Sequence, residues 1–146
     1  MMPKKGYKSV PWLFRKEIEI PEEWEVKKII DIGQNFGDSP FGSLLKSSDY
    51  KDVGIPILQG KNIKDSQFIW NKKIFVSKEK FDSLKRSHCN IGDLVFQKIG
   101  TIGSVAIVPR LNECDTYLLS TNMMKISTKN SIMDIYFLYY IFTFNE

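Results

Sequence analysis

The chain predicts an α+β fold, a single globular domain on a mostly antiparallel, twisted sheet of short strands with a few helices. Three observations carry that prediction. With 146 residues, 42% of them hydrophobic and 26% charged, the chain has ordinary globular composition and enough length for one real core. Between Gly54 and Ile126, short runs of β-branched and aromatic residues alternate with Gly, Asn and Asp clusters. Helical signals are confined to two segments, residues 78–84 and 131–144.

In chain order, residues 1–17 show little periodicity and are expected to form an N-terminal tail, leaving 18–146 as the folded domain. Pro21 fixes φ, and Glu22-Glu23-Trp24 is expected to start the fold, with Trp24 as an early core anchor. Residues 26–32 are apolar on both the helical and the strand pattern, so either type fits. Residues 33–52 form the longest irregular stretch, rich in Gly, Ser and Pro; structureless stretches beyond about 12–15 residues inside a domain usually carry function or are disordered. Residues 55–59 read as a strand closed by Gly60. Residues 68–70 and 74–76 read as two strands joined tightly through Asn71-Lys72-Lys73. Ser77 reads as the N-cap of a helix with Phe81 and Leu84 on one face. Asn90 and Gly92-Asp93 mark a turn, and residues 94–99 and 104–109 pair as a hairpin through Gly100-Thr101-Ile102-Gly103. Residues 123–126 read as a further strand. The closing segment, 131–144, holds six of the nineteen aromatic residues and is apolar nearly all round, so as a helix it is expected to be buried on most sides.

Several classes of chemistry are excluded by what the chain lacks. Two cysteines and one histidine are too few for a disulfide scaffold or a Cys/His zinc cage. No apolar run reaches 18 residues, so no membrane span is expected. The basic residues 1–8 lead into no apolar stretch, so no secretion signal is read and a reduced, cytoplasmic setting is expected. His88 and Cys89 are adjacent, and neighbours in sequence do not face one another on a helix or strand, which disfavours a dyad. Glu25-Val26-Lys27 lacks the preceding Asp of a metal nuclease site. No Gly-rich loop leads into Lys-Ser or Lys-Thr, and Gly33-Gln34-Asn35-Phe36-Gly37 lacks dinucleotide-binding spacing. No Asn-Pro-Pro-aromatic motif occurs. No cofactor and no metal are expected, and binding is left as the default.

The charge is unevenly distributed along the chain. The chain has 21 Lys+Arg against 17 Asp+Glu, but residues 46–98 hold eleven basic and six acidic residues, so the whole excess lies there. Two readings fit: a solvated lysine-rich face, or a surface for a polyanion, where lysines displace counterions and amides or hydroxyls meet base edges.

The order of motifs resolves the choice. Ile20-Pro21-Glu22-Glu23-Trp24-Glu25 with Ile29 and Asp31-Ile32 precedes a polar loop over 37–50, and then comes Gly54-Ile55-Pro56-Ile57-Leu58-Gln59-Gly60 with Asn62-Ile63. Ile74-Phe75-Val76-Ser77, Gly92-Asp93-Leu94-Val95-Phe96-Gln97-Lys98, Gly100-Thr101-Ile102-Gly103, Ala106-Ile107-Val108 and Ser120-Thr121-Asn122-Met123-Met124 follow, closed by an aromatic run over 136–144. Together they resemble the target recognition domain of the DNA specificity subunits of type I restriction–modification systems, over residues 20–144. The resemblance implies a non-catalytic module that reads one half of a split double-stranded DNA target. It also implies adenine-methylating modification subunits that use S-adenosylmethionine, a restriction subunit that cuts, and a possible second specificity chain as partners. In contrast to that family, there is one recognition domain, and the chain stops at Glu146, ahead of the family's closing strands and spacer helix. The aromatic segment 132–144 is therefore expected to present a self-associating apolar surface.

For such a module, the phosphate candidates are Lys46, Lys51, Lys61, Lys64, Lys72, Lys73 and Lys98. The base-reading candidates are Ser39, Ser47, Ser48, Gln59, Asn62 and Gln97, with Asn62 also readable as a turn residue. Thr101 is expected at the rim of the binding face, and Trp70 as core or as a stacking platform. A single-stranded nucleic-acid module and a methyltransferase-binding decoy are the rival readings.

Overall fold

The computed structural model describes residues 3–12, 16–70, 72–100, 104–110, 114–128 and 132–143. They fall into two compact units, Met1–Asp31 and Ile32–Glu146. In the first, strands β1 (Tyr7–Pro11) and β2 (Glu17–Pro21) form an antiparallel hairpin with Val10 opposite Ile18 and Lys8 opposite Ile20. Lys8 Nζ donates to the Glu22 carbonyl (2.8 Å) and Ser9 Oγ to Glu17 (2.7 Å). Two expectations change here. Tyr7–Pro11, read as tail, is a strand, because Ile18 and Ile20 alternate with glutamates and supply a partner of matching period. Trp24, expected as a core anchor, is 51% exposed in the turn that follows β2. A single helical turn, α1 (Ile29–Ile32), stands at the boundary between the units.

The larger unit is α+β, as predicted. Its strands are β3 (Gly33–Asp38), β4 (Ile55–Leu58), β5 (Ile63–Lys64), β6 (Gln67–Phe68), β7 (Phe75–Val76), β8 (His88–Asn90), β9 (Leu94–Gln97), β10 (Val105–Ile107), β11 (Thr116–Leu119) and β12 (Met123–Thr128). Its helices are α2 (Lys78–Ser83) and α3 (Ile135–Thr143). Two four-stranded sheets form, an antiparallel one in the order β10-β9-β12-β3 and a mixed one in the order β7-β4-β11-β8. In the mixed sheet β4 and β11 run parallel, and its other pairs are antiparallel.

Side-chain alternation stacks these sheets. Leu58, Tyr117 and Leu119 of the mixed sheet pack with Val95, Ala106 and Met123 of the antiparallel one in a shared core. The neighbours on the opposite faces point outward: Ile57 and Leu118 meet Phe81 and Leu84 from α2 and its C-cap, while Leu94, Val105 and Ile126 meet Leu138 of α3. The period of two thus yields four layers, helix, sheet, sheet and helix. Ser77 caps α2 as predicted, accepting from the Lys80 N–H at 3.2 Å. Asp134 caps α3 through the N–H groups of Tyr136 (2.7 Å) and Phe137 (3.1 Å).

Two further expectations are corrected. Residues 68–70 and 74–76 do not pair with one another. Phe68 pairs back to Ile63 across Asp65 and Ser66, whose φ values of 49° and 56° suit a tight hairpin turn, and Phe75–Val76 joins β4. Helix α3 forms, but Leu138 is its buried residue, while Tyr136, Phe137, Tyr140 and Ile141 are exposed. Trp70 stacks on Phe68 (5.7 Å between centroids) and meets Tyr117 edge-on (6.1 Å), which makes it a core residue.

Candidate nucleic-acid interface

Strand direction gathers one set of candidates at a common end of the two sheets. Gln97 at the end of β9 lies opposite Met123 at the start of β12, and Asp38 at the end of β3 lies opposite Met124. The Ser39 N–H donates to the Met123 carbonyl (3.0 Å) and the Lys98 N–H to the Asn122 carbonyl (2.8 Å). In the mixed sheet, parallel β4 and β11 end together, and the Ser120 N–H reaches the Leu58 carbonyl (2.8 Å). The two sheets touch at this rim. A Cβ on Gly60 would lie 2.9 Å from the Gln97 amide, and one on Gly100, whose φ is +94°, would lie 2.7 Å from Gln97 Nε2. The positive φ at Gly100 requires glycine, and at Gly60 the neighbouring atoms are the end of the Gln97 side chain. Ser39, Gln59, Lys61, Gln97 and Lys98 therefore share one rim. Because Ile57 bonds the Ile74 carbonyl across antiparallel β4 and β7, Lys72 and Lys73 fall level with the same end of β4.

Other candidates lie elsewhere. Lys46, Ser47 and Ser48 open a 3-10 turn beside α2, where Asp49 pairs with Lys80 (3.1 Å). Lys51 bridges Phe75 on the outer edge of β7. Lys64 belongs to the β5–β6 hairpin, whose Ser66 carbonyl accepts from the Tyr139 hydroxyl (2.7 Å). Thr101 lies outside the described residues.

The chemistry of the rim is uneven. Asn62 is fully buried, and its amide is spent inside the loop: Oδ1 accepts from the Gln59 N–H (2.9 Å) and Nδ2 donates to the Ile69 carbonyl (2.9 Å). It holds the loop and leaves the base-reading set; the turn reading is the correct one. Replacing Asn62 by Ala removes the side-chain partner of two part-buried backbone groups and is expected to cost about 1–3 kcal/mol, measurable by denaturant titration. Gln97 donates to the Ile99 carbonyl (2.8 Å), while Gln59 Oε1 is buried without a partner among the described residues. Lys98 Nζ pairs with Asp38, and that contact, with the Ser39 N–H, holds the Asp38 carboxyl below its ordinary value. Lys61 is exposed and makes no ion pair among the described residues.

Sequence reasoning missed two groups. Thr121 and Asn122 join the rim through the β11–β12 turn, where Asn122 has φ +67°. Lys85 and Arg86 sit on a 3-10 turn whose Ser87 hydroxyl donates to the Asp38 carbonyl (2.7 Å). A consecutive basic pair was the available signal. The His88–Cys89 pair is committed to packing. The His88 ring stacks on Phe81 and its Nε2–H donates to the Phe81 carbonyl (2.7 Å), while burial pushes the Cys89 thiol up. Among the described residues, no cluster of three or more His, Cys, Asp or Glu could hold a metal, and no helix is long and apolar enough to cross a membrane.

Comparison with known proteins gives the family and the fold. The family model of the type I restriction modification DNA specificity domain matches residues 21–146. A putative type I restriction enzyme MjaX specificity subunit from Methanocaldococcus jannaschii is 30% identical over 132 residues, 88% of this chain and 30% of that protein. In fold, the chain is similar to the HsdS subunit from Thermoanaerobacter tengcongensis, with a TM-score of 0.60 at 16% identity over 95% of this chain and 30% of that one. A chain from a structure of an assembled type I R-M system gives a TM-score of 0.60 at 18% identity, covering 85% of this chain and 28% of that one. The chain thus spans about a third of the length of these relatives. It belongs to the type I restriction modification DNA specificity domain family.

Proposed function

We propose that residues 18–146 act as a target recognition domain that reads one half of a bipartite double-stranded DNA sequence for a type I restriction–modification complex. The observation that carries this reading is the rim where five strand ends meet, with amides and hydroxyls at its centre and lysines beside it. Gln59, Gln97 and Ser39 lie at the rim and carry amide and hydroxyl groups of the kind suited to base edges. Lys61, Lys72 and Lys73 supply phosphate contacts that set register, while Lys98 is matched by Asp38. Methylation and cleavage are left to modification and restriction subunits, with a second specificity chain supplying the other half-site, all in the cytoplasm where the DNA lies. The domain itself carries out no chemistry.

Lys61→Ala tests the electrostatic half of this reading. Affinity for duplex DNA is expected to fall equally on all sequences, and the dependence of log K on log salt to become shallower by about one. An unchanged slope removes Lys61 from the phosphate set. Specificity is tested by mapping methylated sites with modification subunits present, with and without this chain. Sites that appear in both cases, or in neither, count against a reading role.

A further inference from the structure

The basic turn at Lys85 and Arg86 is the common wall of two open clefts. One, of about 430 Å3, is also lined by Ser39 and Phe41. The other, of about 410 Å3, has Asn35 and Asn90. Both carboxylates in the first cleft are already neutralised, Asp38 by Lys98 and Asp82 by Lys78 at 2.6 Å. No Asp or Glu lines the second among the described residues, and its other lysine, Lys125, is matched by Asp93 at 2.7 Å. Lys85 and Arg86 are left exposed and make no ion pair among the described residues. The turn is held in place. Its Ser87 N–H donates to the Leu84 carbonyl (2.9 Å), and the Ser87 hydroxyl ties it to the end of β3, next to Ser39 and Lys98.

We propose that Lys85 and Arg86 form a second phosphate-binding site for the backbone of duplex DNA, so that a strand passing the rim at Ser39 is gripped again along the edge of β3. This rests on the reading of the chain as a DNA-binding domain. Two uncompensated cations on a fixed ridge suit an extended polyanion, since Arg86 offers a planar fork to phosphate oxygens and Lys85 a point charge. Open clefts on both sides leave room for the chain of phosphates to continue. A small free anion needs donors that converge in an enclosed site, and this ridge lacks that shape.

The test is binding of a random-sequence DNA duplex by the full 146-residue chain across a salt series. Inorganic phosphate alone serves as a second probe, read by thermal shift. The double variant Lys85→Ala/Arg86→Ala is expected to keep the wild-type Tm while its salt slope becomes shallower by about two. Arg86→Lys is expected to keep a slope near wild type, because it preserves the charge. Three results overturn the proposal. If wild-type binding is salt-dependent and the double variant keeps the same slope, these residues do not contact the backbone. If inorganic phosphate raises the Tm of the wild type but not of the double variant, the ridge is a small-anion site instead. If the wild-type chain fails to bind duplex at any salt, the recognition reading itself falls and this site falls with it.

Discussion

Replacing Lys125 by Met is expected to destabilise the chain by about 3–5 kcal/mol, the usual cost of removing one partner from a buried ion pair. Lys125 on β12 is 2% exposed, and its ammonium meets Asp93 Oδ2 at 2.7 Å. Asp93 also accepts from the Asn90 N–H (2.8 Å) and from the Ser127 hydroxyl, so its carboxylate organises the turn into β9 and ties it to β12. With methionine at 125, Asp93 keeps those two donors and loses its countercharge. Thermal denaturation should show a fall in Tm of roughly 10 °C or more for a domain of this size. The double variant Lys125→Met/Asp93→Asn should lose less than the two single losses summed, because the neutral amide no longer strands a charge. Additive losses would show that the pair is not coupled.

Leu118→Ala is expected to cost about 2–5 kcal/mol. Leu118 is fully buried in β11, opposite Ile57 of β4 and His88 of β8, and its side chain packs with Phe81 and Leu84 under α2. Truncation leaves a void on β11, which is bonded on both sides by β4 and β8, so the sheet is poorly able to collapse into it. Denaturant titration should show the midpoint falling with little change in slope. A loss below about 1 kcal/mol would mean that α2 settles into the space, in which case the outer layer is softer than its burial indicates.

Both residues show where the sequence stopped being legible. The hairpin of β9 and β10 was readable because its alternation and its glycine-rich turn are local, and α2 was readable from Ser77. Strand β11 was missed, although it is central to the mixed sheet. It is four residues long, and it is defined by a parallel partner, β4, far away in sequence. Strand β3 lay hidden in a stretch whose glycines and serines read as loop. Lys125 looked like any lysine on a strand, and what makes it an interior residue is Asp93, 32 positions earlier.

The candidate site divides in the same way. Gln59, Lys61, Gln97 and Lys98 were readable as polar and basic residues at strand ends, and the structure brings them to one rim. It also removes Asn62 to the interior, joins Lys98 to Asp38 across 60 positions, and sets Lys46, Ser47 and Ser48 beside α2.

By itself, the sequence determined the α+β class, the local turns and caps, the basic central stretch and the family resemblance. These depend on residue type and short spacing, which a linear string preserves. Tertiary structure alone decided which lysines are free and which are matched, which amides are spent inside the loop, and that Lys85 and Arg86 stand beside the rim. Those outcomes depend on partners tens of residues away, brought together by sheet register and by the requirement that buried charges and amides be satisfied.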